Sequence, residues 1–327
     1  MTEFDKNLLF ELDKDGRKSY TEIAKTLNTS PQVVKYHLEK LQDDGIIKHF
    51  WAFIDYDKAG YHVFWGYWLK FVGLTKEVEA LMYDDFRTNK NIPIVMRCDG
   101  YADVMLGIIG RDVFDHNRIL QSVLAKYGQY IAKNDLVVGL SFHKFPRTYL
   151  IGGENLSGEQ KMSGGAPGEV KLSELDRKIL SCLQIDGRME FTRIAKKCGV
   201  TAGLVQKHFV RLTEQNVITK ITYTLDYQKM DMTLYRVLFK IGQFNSSRAE
   251  QLFAYFAKHP NIINYVRCIG EWQLMVDIEI DSRTHLRDLL RGLKHDFKDL
   301  ISQIEVNEVY KIDKFTQMAI EYPELGE

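Results

Sequence analysis

The chain has 327 residues, no formal net charge at pH 7, 45% hydrophobic residues and 27% charged residues. This composition excludes a disordered chain and a polycation, and the length suits two to four domains. Any contact with nucleic acid must therefore come from local basic patches. The sequence contains no apolar run of about 18 residues and no signal-peptide pattern at its acidic N-terminus, so we expect a cytoplasmic protein without a membrane segment. The four cysteines lack C-x-x-C spacing, and no metal site is expected.

Three short helices are predicted within residues 1–60, which we interpret as a helix-turn-helix domain. The first helix has apolar residues at helical spacing, and Asp15-Gly16-Arg17 ends it. A second helix is expected over Tyr20–Leu27. Ser30-Pro31 supplies an N-cap and then proline at the first helical position, which starts a third helix that runs to about Asp43.

Residues 61–150 alternate between strand and helix patterns and predict a second small domain. The strand segments are rich in aromatic and aliphatic residues, and the helix segments show helical spacing. The order of these six elements is that of a ferredoxin-like βαββαβ unit. The predicted strands are His62–Phe71, Ile94–Cys98, Val104–Ile109 and Leu136–Phe145, and the predicted helices are Thr75–Lys90 and Val113–Tyr127.

The second half of the chain repeats the first. An offset of 171 residues aligns Asp15-Gly16-Arg17 with Asp186-Gly187-Arg188, and an offset of 170 residues aligns Arg97-Cys98 with Arg267-Cys268. An alignment that keeps nearly the same offset over most of a chain is not expected by chance, so we interpret the protein as a tandem duplication. The glycine-rich segment 151–171 between the two copies is predicted to be a flexible linker.

The second copy predicts the same two domains as the first. We expect a helix-turn-helix domain over residues 172–231 and a ferredoxin-like domain with a C-terminal tail over residues 232–327. The predicted strands and helices of this last domain are Arg236–Gln243, Ser247–Lys258, Ile262–Cys268, Leu274–Ile280, His285–Phe297 and Ile304–Ile312.

A series of short motifs in the first copy resembles the pattern of the Lrp/AsnC family of prokaryotic regulators. Each motif is weak alone, but the same order occurs twice, and the resemblance covers nearly the whole chain apart from the linker and the tail. The motifs are Asp5, Asp15-Gly16-Arg17, Ile23-Ala24, Ser30-Pro31-Gln32-Val33-Val34, Gly45-Ile46-Ile47 and Asp55-Tyr56-Asp57-Lys58-Ala59-Gly60.

This resemblance implies an α+β protein with two AsnC-type winged helix-turn-helix domains and two ferredoxin-like βαββαβ sensor domains. It implies a sequence-specific transcriptional regulator that binds double-stranded DNA and is modulated by an amino acid or a similar small molecule. It implies neither an enzyme nor a cofactor. We also expect the sensor domains to self-associate, pairing sheet to sheet within one chain or between two exchanged chains.

The third helix of each helix-turn-helix is the candidate recognition helix. Its outward positions offer amide, ammonium and phenol groups that suit base edges and phosphates. The other interpretation is a solvated face on each of two small helical hairpins. The candidate DNA-binding residues are Ser30, Gln32, Lys35, Tyr36, His37 and Lys40 in the first copy and Thr201, Gln206, Lys207, His208 and Arg211 in the second.

The resembled family holds its effector near a loop of the form G-x-x-D, which Gly100-Tyr101-Ala102-Asp103 matches. The backbone N–H groups of a glycine turn can bind a carboxylate, and an aspartate can bind an ammonium group. The candidate effector-binding residues are therefore Asp99, Gly100, Tyr101 and Asp103. Because the second copy has Gln273 in place of Asp103, we expect at most one competent site in the pair. A plain hairpin turn is the alternative.

Two further functions stay open from the sequence. Siroheme decarboxylases share this order of elements and include fused pairs. Their His-Asn-Tyr-Arg-like run corresponds here to Ile94-Val95-Met96-Arg97 and Asn264-Tyr265-Val266-Arg267, which do not match it. The second alternative is an architectural DNA-binding protein, which would favour dense lysine on both halves of the chain.

The distribution of charge predicts unequal DNA contacts. Residues 1–60 hold nine basic and eleven acidic side chains, a net charge of −2, whereas residues 169–230 hold eleven basic and seven acidic ones, a net charge of +4. Because neutralising phosphates supplies much of DNA affinity, we expect the second helix-turn-helix to contribute more of it. The first should supply discrimination through Gln32, Lys35 and Tyr36.

Overall fold

The structure, a computed structural model, describes residues 1–153, 159–164, 168, 170–242 and 245–319. The helices are α1 (Glu3–Lys14), α2 (Tyr20–Thr26), α3 (Pro31–Asp43), α4 (Lys76–Thr88), α5 (Val113–Tyr127), α6 (Glu174–Ile185), α7 (Phe191–Cys198), α8 (Ala202–Glu214), α9 (Ser246–Lys258) and α10 (Arg283–Asp296). The strands are β1 (Ile47–Ile54), β2 (Val63–Phe71), β3 (Ile94–Gly100), β4 (Val104–Gly110), β5 (Ile131–Lys144), β6 (Gln160–Gly164), β7 (Ile218–Leu225), β8 (Thr233–Ile241), β9 (Ile262–Gly270), β10 (Leu274–Ile280) and β11 (Ile301–Phe315). Within these ranges no helix has the length and apolar character needed to cross a bilayer.

Helices α1–α3 form the first head, and helices α6–α8 form the second head. Each third helix begins at the predicted N-cap, since the hydroxyl of Ser30 accepts the N–H of Val33 and that of Thr201 accepts the N–H of Leu204, both at 3.3 Å. Such caps satisfy backbone donors that the first helical turn leaves free. The α+β class and the paired helix-turn-helix heads are confirmed.

Eight strands close into one barrel in the order β2-β4-β3-β11-β8-β10-β9-β5, with β5 pairing back to β2. Strands β2–β5 come from the first copy and β8–β11 from the second, and the two half-sheets join through the β3–β11 and β5–β9 pairs. Closure leaves these strands no free edge. One core fills the interior, with the large side chains of Trp68 and Trp272 buried on opposite halves. The sensor domains therefore pair within a single chain.

A two-stranded antiparallel ribbon, β1 with β7, connects the two heads. The glycine of each Asp-Gly-Arg motif binds the ribbon: the N–H of Gly16 donates to the carbonyl of Ile221 at 2.9 Å, and that of Gly187 donates to the carbonyl of Phe50 at 2.8 Å. A Cβ on Gly16 would lie 2.8 Å from the Ile221 carbonyl oxygen. These positions therefore need glycine for close approach to the strand.

The arginines of the two motifs reach reciprocally into the other copy. Arg17 donates to the carbonyls of Gly187 at 2.8 Å and Met189 at 2.9 Å, while Arg188 donates to the carbonyl of Gly16 at 2.6 Å. The motif that we interpreted only as a helix end is thus a clasp between the copies. Together with the ribbon it fixes the spacing and orientation of the two heads.

A buried charge network joins the first head to the barrel. Arg147 donates through Nη1 to Asp13 of α1 at 2.7 Å and through Nε to Glu279 of β10 at 2.9 Å. The hydroxyls of Tyr149 and Tyr227 also donate to Glu279, at 2.5 and 2.8 Å. Burial alone would raise the pKa of Asp13, but the neighbouring cations, Arg147 among them, hold that pKa well below its usual value.

The corresponding junction of the second copy lacks the charges of Asp13, Arg147 and Glu279. Gln184, Gln317 and Ile109 occupy the positions that match Asp13, Arg147 and Glu279. The backbone contact is kept, because the N–H of Gln317 donates to the Gln184 side chain at 2.6 Å just as the N–H of Arg147 donates to Asp13 at 3.1 Å. The two copies thus share the geometry of this junction but differ in its charge.

The segment 151–171, predicted to be a flexible linker, contains the strand β6. This strand pairs antiparallel with β5, and Met162 is fully buried against Trp51 and Phe53 of the ribbon. The expectation of a flexible linker does not hold for these five residues, because Met162 finds an apolar site between barrel and ribbon. Residues 154–158, 165–167 and 169 of this segment lie outside the described residues, as does the predicted strand end at Gln243.

Candidate nucleic-acid interface and ligand groove

The third helix of the first head presents a polar face to solvent. Val34, Leu38 and Leu41 are buried in the core of the head, as their spacing predicts. Gln32, Lys35, Tyr36 and Lys40 are exposed on the other side, and Tyr36 keeps 62% of its surface accessible. This face offers donors and acceptors of the kinds that read base edges in the major groove.

Three of the candidate DNA-binding residues contact their own head instead. Nδ1 of His37 lies 2.7 Å from the Asp5 carboxylate, and Nδ1 of His208 lies 2.7 Å from that of Asp176, where Arg211 also donates. Burial would raise the pKa of Asp176, but these hydrogen bonds bring it well below its usual value. The two histidines and Arg211 therefore orient the recognition helices against α1 and α6, and their contact with DNA stays a prediction.

The second head carries exposed basic residues on two helices. In α8, Thr201, Gln206 and Lys207 are exposed, and in α7 the exposed bases are Arg193, Lys196 and Lys197. The first head has Glu22, Lys25 and Thr26 at the matching positions of α2. The helix before the recognition helix crosses the phosphate backbone in proteins of this type. The α7 bases were not predicted as DNA-binding residues from the sequence, although their positive charge is the signal that could have identified them.

An open groove of about 520 Å³ lies between α10, β11 and the turn after β3. The candidate effector residues Asp99 and Gly100 form part of its wall. Its floor is apolar, and its rim carries the basic side chains of α10. The floor consists of Tyr235, Leu286, Leu290, Ile304 and Val306, and the charged rim of Arg283, Arg287, Arg291, Lys294 and Glu308.

The other two candidate effector residues do not line this groove. A side-chain oxygen of Asp103 accepts the N–H of Phe71 at 2.7 Å, and its other oxygen lies 2.6 Å from the ammonium group of Lys70. The Tyr101 hydroxyl donates to Asp135, and its ring packs edge-on against Trp272 at 5.2 Å. Asp99 and Gly100 therefore line the groove together. The side chains of Tyr101 and Asp103 instead make hydrogen bonds to other residues of the barrel.

Gln273 does in the second copy what Asp103 does in the first. Its side-chain oxygen accepts the N–H of Ile241 at 2.9 Å, the counterpart of the bond from Phe71 to Asp103. Both residues therefore tie the end of a hairpin to the strand beside it. The change from aspartate to glutamine keeps this bond, and the expectation of at most one competent effector site stays a prediction.

The basic rim of the groove belongs to one copy only. At the positions of α5 that match Arg283, Arg287, Arg291 and Lys294, the first copy has Val113, Asn117, Gln121 and Leu124. The two outer faces of the barrel therefore differ in charge, although their backbones follow the same order of elements. Any anionic ligand of this surface would bind one face in preference to the other.

Comparisons with known proteins identify a helix-turn-helix in each of the two heads. A winged helix-turn-helix DNA-binding model matches residues 1–48, and an AsnC-type helix-turn-helix model matches residues 172–213. An uncharacterized HTH-type transcriptional regulator of Pyrococcus furiosus is 31% identical over 143 residues, which are 43% of this chain and 93% of that protein. The HTH-type transcriptional regulator FL11 of Pyrococcus horikoshii is 25% identical over 121 residues, covering 37% of this chain and 79% of the relative.

The fold of the whole chain is similar to that of the siroheme decarboxylase NirDL. The two structures superpose with a TM-score of 0.61 and 13% sequence identity, over 97% of this chain and 94% of NirDL. At this identity the likeness concerns the fold alone. The sequence relationship is with the regulators, and the chain belongs to the Lrp/AsnC family of helix-turn-helix transcriptional regulators.

Proposed function

We propose that the protein is a sequence-specific DNA-binding transcriptional regulator whose two heads contact one DNA duplex. The observation that carries this proposal is the pair of exposed recognition helices, α3 and α8, held together by the ribbon and the Asp-Gly-Arg clasp. In this proposal residues 1–60 and 172–231 bind DNA, and residues 61–150 and 232–327 regulate that binding. A protein that acts on genomic DNA in this way would work in the cytoplasm.

The exposed residues of α3 and α8 have separate roles in this model. Gln32, Lys35 and Tyr36 lie in the first half of α3, the part of a recognition helix that contacts base edges. Lys40, one turn further on, is positioned for a phosphate. In α8, Gln206 and Lys207 occupy the positions that match Lys35 and Tyr36. Lysine contacts to phosphate add affinity without sequence preference.

Selection of genomic fragments by the purified full-length chain tests this function. We expect a small set of fragments that share one sequence motif. Gln32→Ala should weaken binding to that motif by about 1–3 kcal/mol, since a bidentate base contact is lost, and should leave binding to unrelated DNA unchanged. Gln42→Ala, an exposed glutamine at the far end of α3, is the matched control and should bind as the wild type does.

Two other outcomes would contradict this function. Even recovery of fragments from the whole genome would indicate an architectural protein. Absence of DNA binding together with a visible absorbance band from a bound tetrapyrrole would indicate an enzyme of the siroheme decarboxylase type. Both measurements use the same purified protein, so one preparation separates the three functions.

We further propose that the groove beside α10 binds the effector, an amino acid or a similar small molecule with an apolar side chain. The guanidinium of Arg291 and the ammonium of Lys294 suit its carboxylate. Asp99 and Glu308 on the opposite wall suit its ammonium group. The apolar floor suits its side chain, and the groove volume of about 520 Å³ falls in the range of small-molecule sites.

Calorimetric titration with a panel of amino acids tests the effector site. We expect at least one aliphatic or aromatic amino acid to bind, and the variant Arg291→Glu with Lys294→Glu to weaken it about tenfold or more, because two charge-assisted contacts are lost. Arg118→Glu, on the equivalent helix α5 of the first copy, is the control. An affinity unchanged by the double substitution would reject this location for the effector.

A further inference from the structure

A second, smaller cavity lies where the ribbon meets the barrel. Its volume is about 70 Å³. Trp51 and Thr222, which are paired residues of β1 and β7, form its ribbon side. The barrel side includes Arg236, Asn264 and Asp277 of strands β8, β9 and β10. It is separate from the groove beside α10, with which it shares no lining residue.

Three polar groups that line this cavity lack a hydrogen-bond partner within the described part of the chain. They are the indole N–H of Trp51, the hydroxyl of Thr222 and the side-chain oxygen of Asn264. All three side chains belong to residues at least nine-tenths buried. Buried polar groups in native proteins are nearly always satisfied by protein, water or ligand. Their convergence on one cavity therefore points to an occupant.

The charged groups around the cavity indicate what that occupant accepts. The carboxylate of Asp277 already receives Nε and Nη2 of Arg236 at 2.5 and 2.6 Å and the amide of Asn264 at 2.9 Å. Among the described residues, Nη1 of Arg236 makes a hydrogen bond only with the sulfur of Met96, at 3.3 Å. Lys144 Nζ, which has three N–H groups, makes a hydrogen bond to Asp13 at 3.1 Å. Free donors therefore outnumber free acceptors.

The formal charges around this end of the barrel balance, since four cationic side chains interact with four carboxylates. The cations are Lys144, Arg147, Arg236 and Lys220, and the carboxylates are Asp13, Asp15, Asp277 and Glu279. The surplus at the cavity is therefore one of hydrogen-bond donors, and buried donors are costly unless an acceptor is present.

We propose that this cavity binds a small oxyanion, a one- or two-carbon carboxylate or an ion of the same size. A dry apolar cavity of about 150 Å³ holds benzene, so about half that volume suits an ion of three or four non-hydrogen atoms. One oxygen accepts from Trp51 and Thr222 on the ribbon, and the other accepts from Lys144 and Arg236 on the barrel. The bound anion thereby links the two heads to the barrel.

Titration of the full-length protein with sodium formate tests this site. Ionic strength is kept constant with sodium gluconate, a carboxylate that is too large for the cavity. We expect a saturable rise in the thermal unfolding midpoint with formate and a saturable heat of binding in calorimetry. Thr222→Val should weaken the apparent affinity about two- to tenfold, the effect of one neutral hydrogen bond.

Two further variants make the result decisive. Thr219→Val, in the same strand but outside the cavity lining, should bind formate as the wild type does. Trp51→Phe removes the indole donor and should weaken binding even if Thr222→Val fails to fold. No saturable response to formate would show that the cavity holds water alone. Equal binding by wild type, Thr222→Val and Trp51→Phe would place the anion elsewhere. Either result would overturn the proposal.

Discussion

Replacing Arg147 by methionine is expected to lower the free energy of unfolding by about 3–5 kcal/mol, the range found when one partner of a buried ion pair is removed. Arg147 is the only side chain that contacts both Asp13 and Glu279 in the described structure. Its loss leaves both carboxylates buried without that partner. Urea-induced unfolding followed by circular dichroism measures the effect.

The second copy supplies the control for this prediction. Gln317→Met changes the matching position, where Gln184 and Ile109 replace Asp13 and Glu279, and should cost about 1 kcal/mol or less because no carboxylate is left unpaired. Adding Glu279→Gln to Arg147→Met removes the charge that is left unpaired, because Asp13 keeps Lys144 at 3.1 Å, and should recover part of the loss. Equal losses for Arg147→Met and Gln317→Met would show that the charge network does not stabilise the junction.

Acid should diminish the difference between the wild type and Arg147→Met. The folded-state pKa of Asp13 lies below its unfolded value of about 4. Its contribution to stability is therefore complete above pH 4 and is lost as the pH falls toward the folded-state pKa. The two unfolding free energies should approach each other in this acidic range.

Removing three lysines from the second head should flatten the salt dependence of DNA binding more than any matched change in the first. For Lys196→Ala, Lys197→Ala and Lys207→Ala together, the slope of log affinity against log salt should fall in magnitude by about 2–3, since each phosphate contact contributes about 0.9. Over a fourfold range of salt, this amounts to a change in affinity of roughly 16-fold to 64-fold. Filter binding from about 50 to 200 mM salt measures it.

The matched triple variant in the first head is Lys25→Ala, Lys35→Ala and Lys40→Ala. It should change the slope by about 1, because Lys35 lies 3.7 Å from Glu39 and the helix before α3 carries Glu22 where the second head has Arg193. The two heads should differ less in salt dependence than their net charges suggest. Two of the second head's bases, Arg188 and Arg211, make hydrogen bonds within the protein. A larger effect in the first head would reverse the assignment.

Local patterns in the sequence predicted the elements well. The Ser30 and Thr201 caps, the buried positions of α3 and the ferredoxin-like order of strands depend on residues close together in the chain. The partners of Asp-Gly-Arg lie about 170 residues away, so local spacing could not reveal that the motif joins the two copies. The strand β6 was missed because a single apolar residue, Met162, decides its position.

The functional residues were harder to predict for a related reason. His37 and His208 occupy outward-looking positions on a helical wheel, and only the packed head shows Asp5 and Asp176 within reach. The comparison of Asp103 with Gln273 did not reveal their shared contact, because two different side chains can accept the same backbone N–H. The groove beside α10 joins residues from both copies, and no single segment of sequence contains it.

The fusion of both halves into one chain has a consequence for the target DNA. A symmetric dimer presents two identical helices and reads a palindrome. Here the positions of Gln32, Lys35 and Tyr36 in α3 are occupied in α8 by Gly203, Gln206 and Lys207, while the ribbon keeps the two helices in a fixed geometry. The preferred site should consequently lack dyad symmetry, so the bound protein points in one direction along a promoter and can distinguish upstream from downstream.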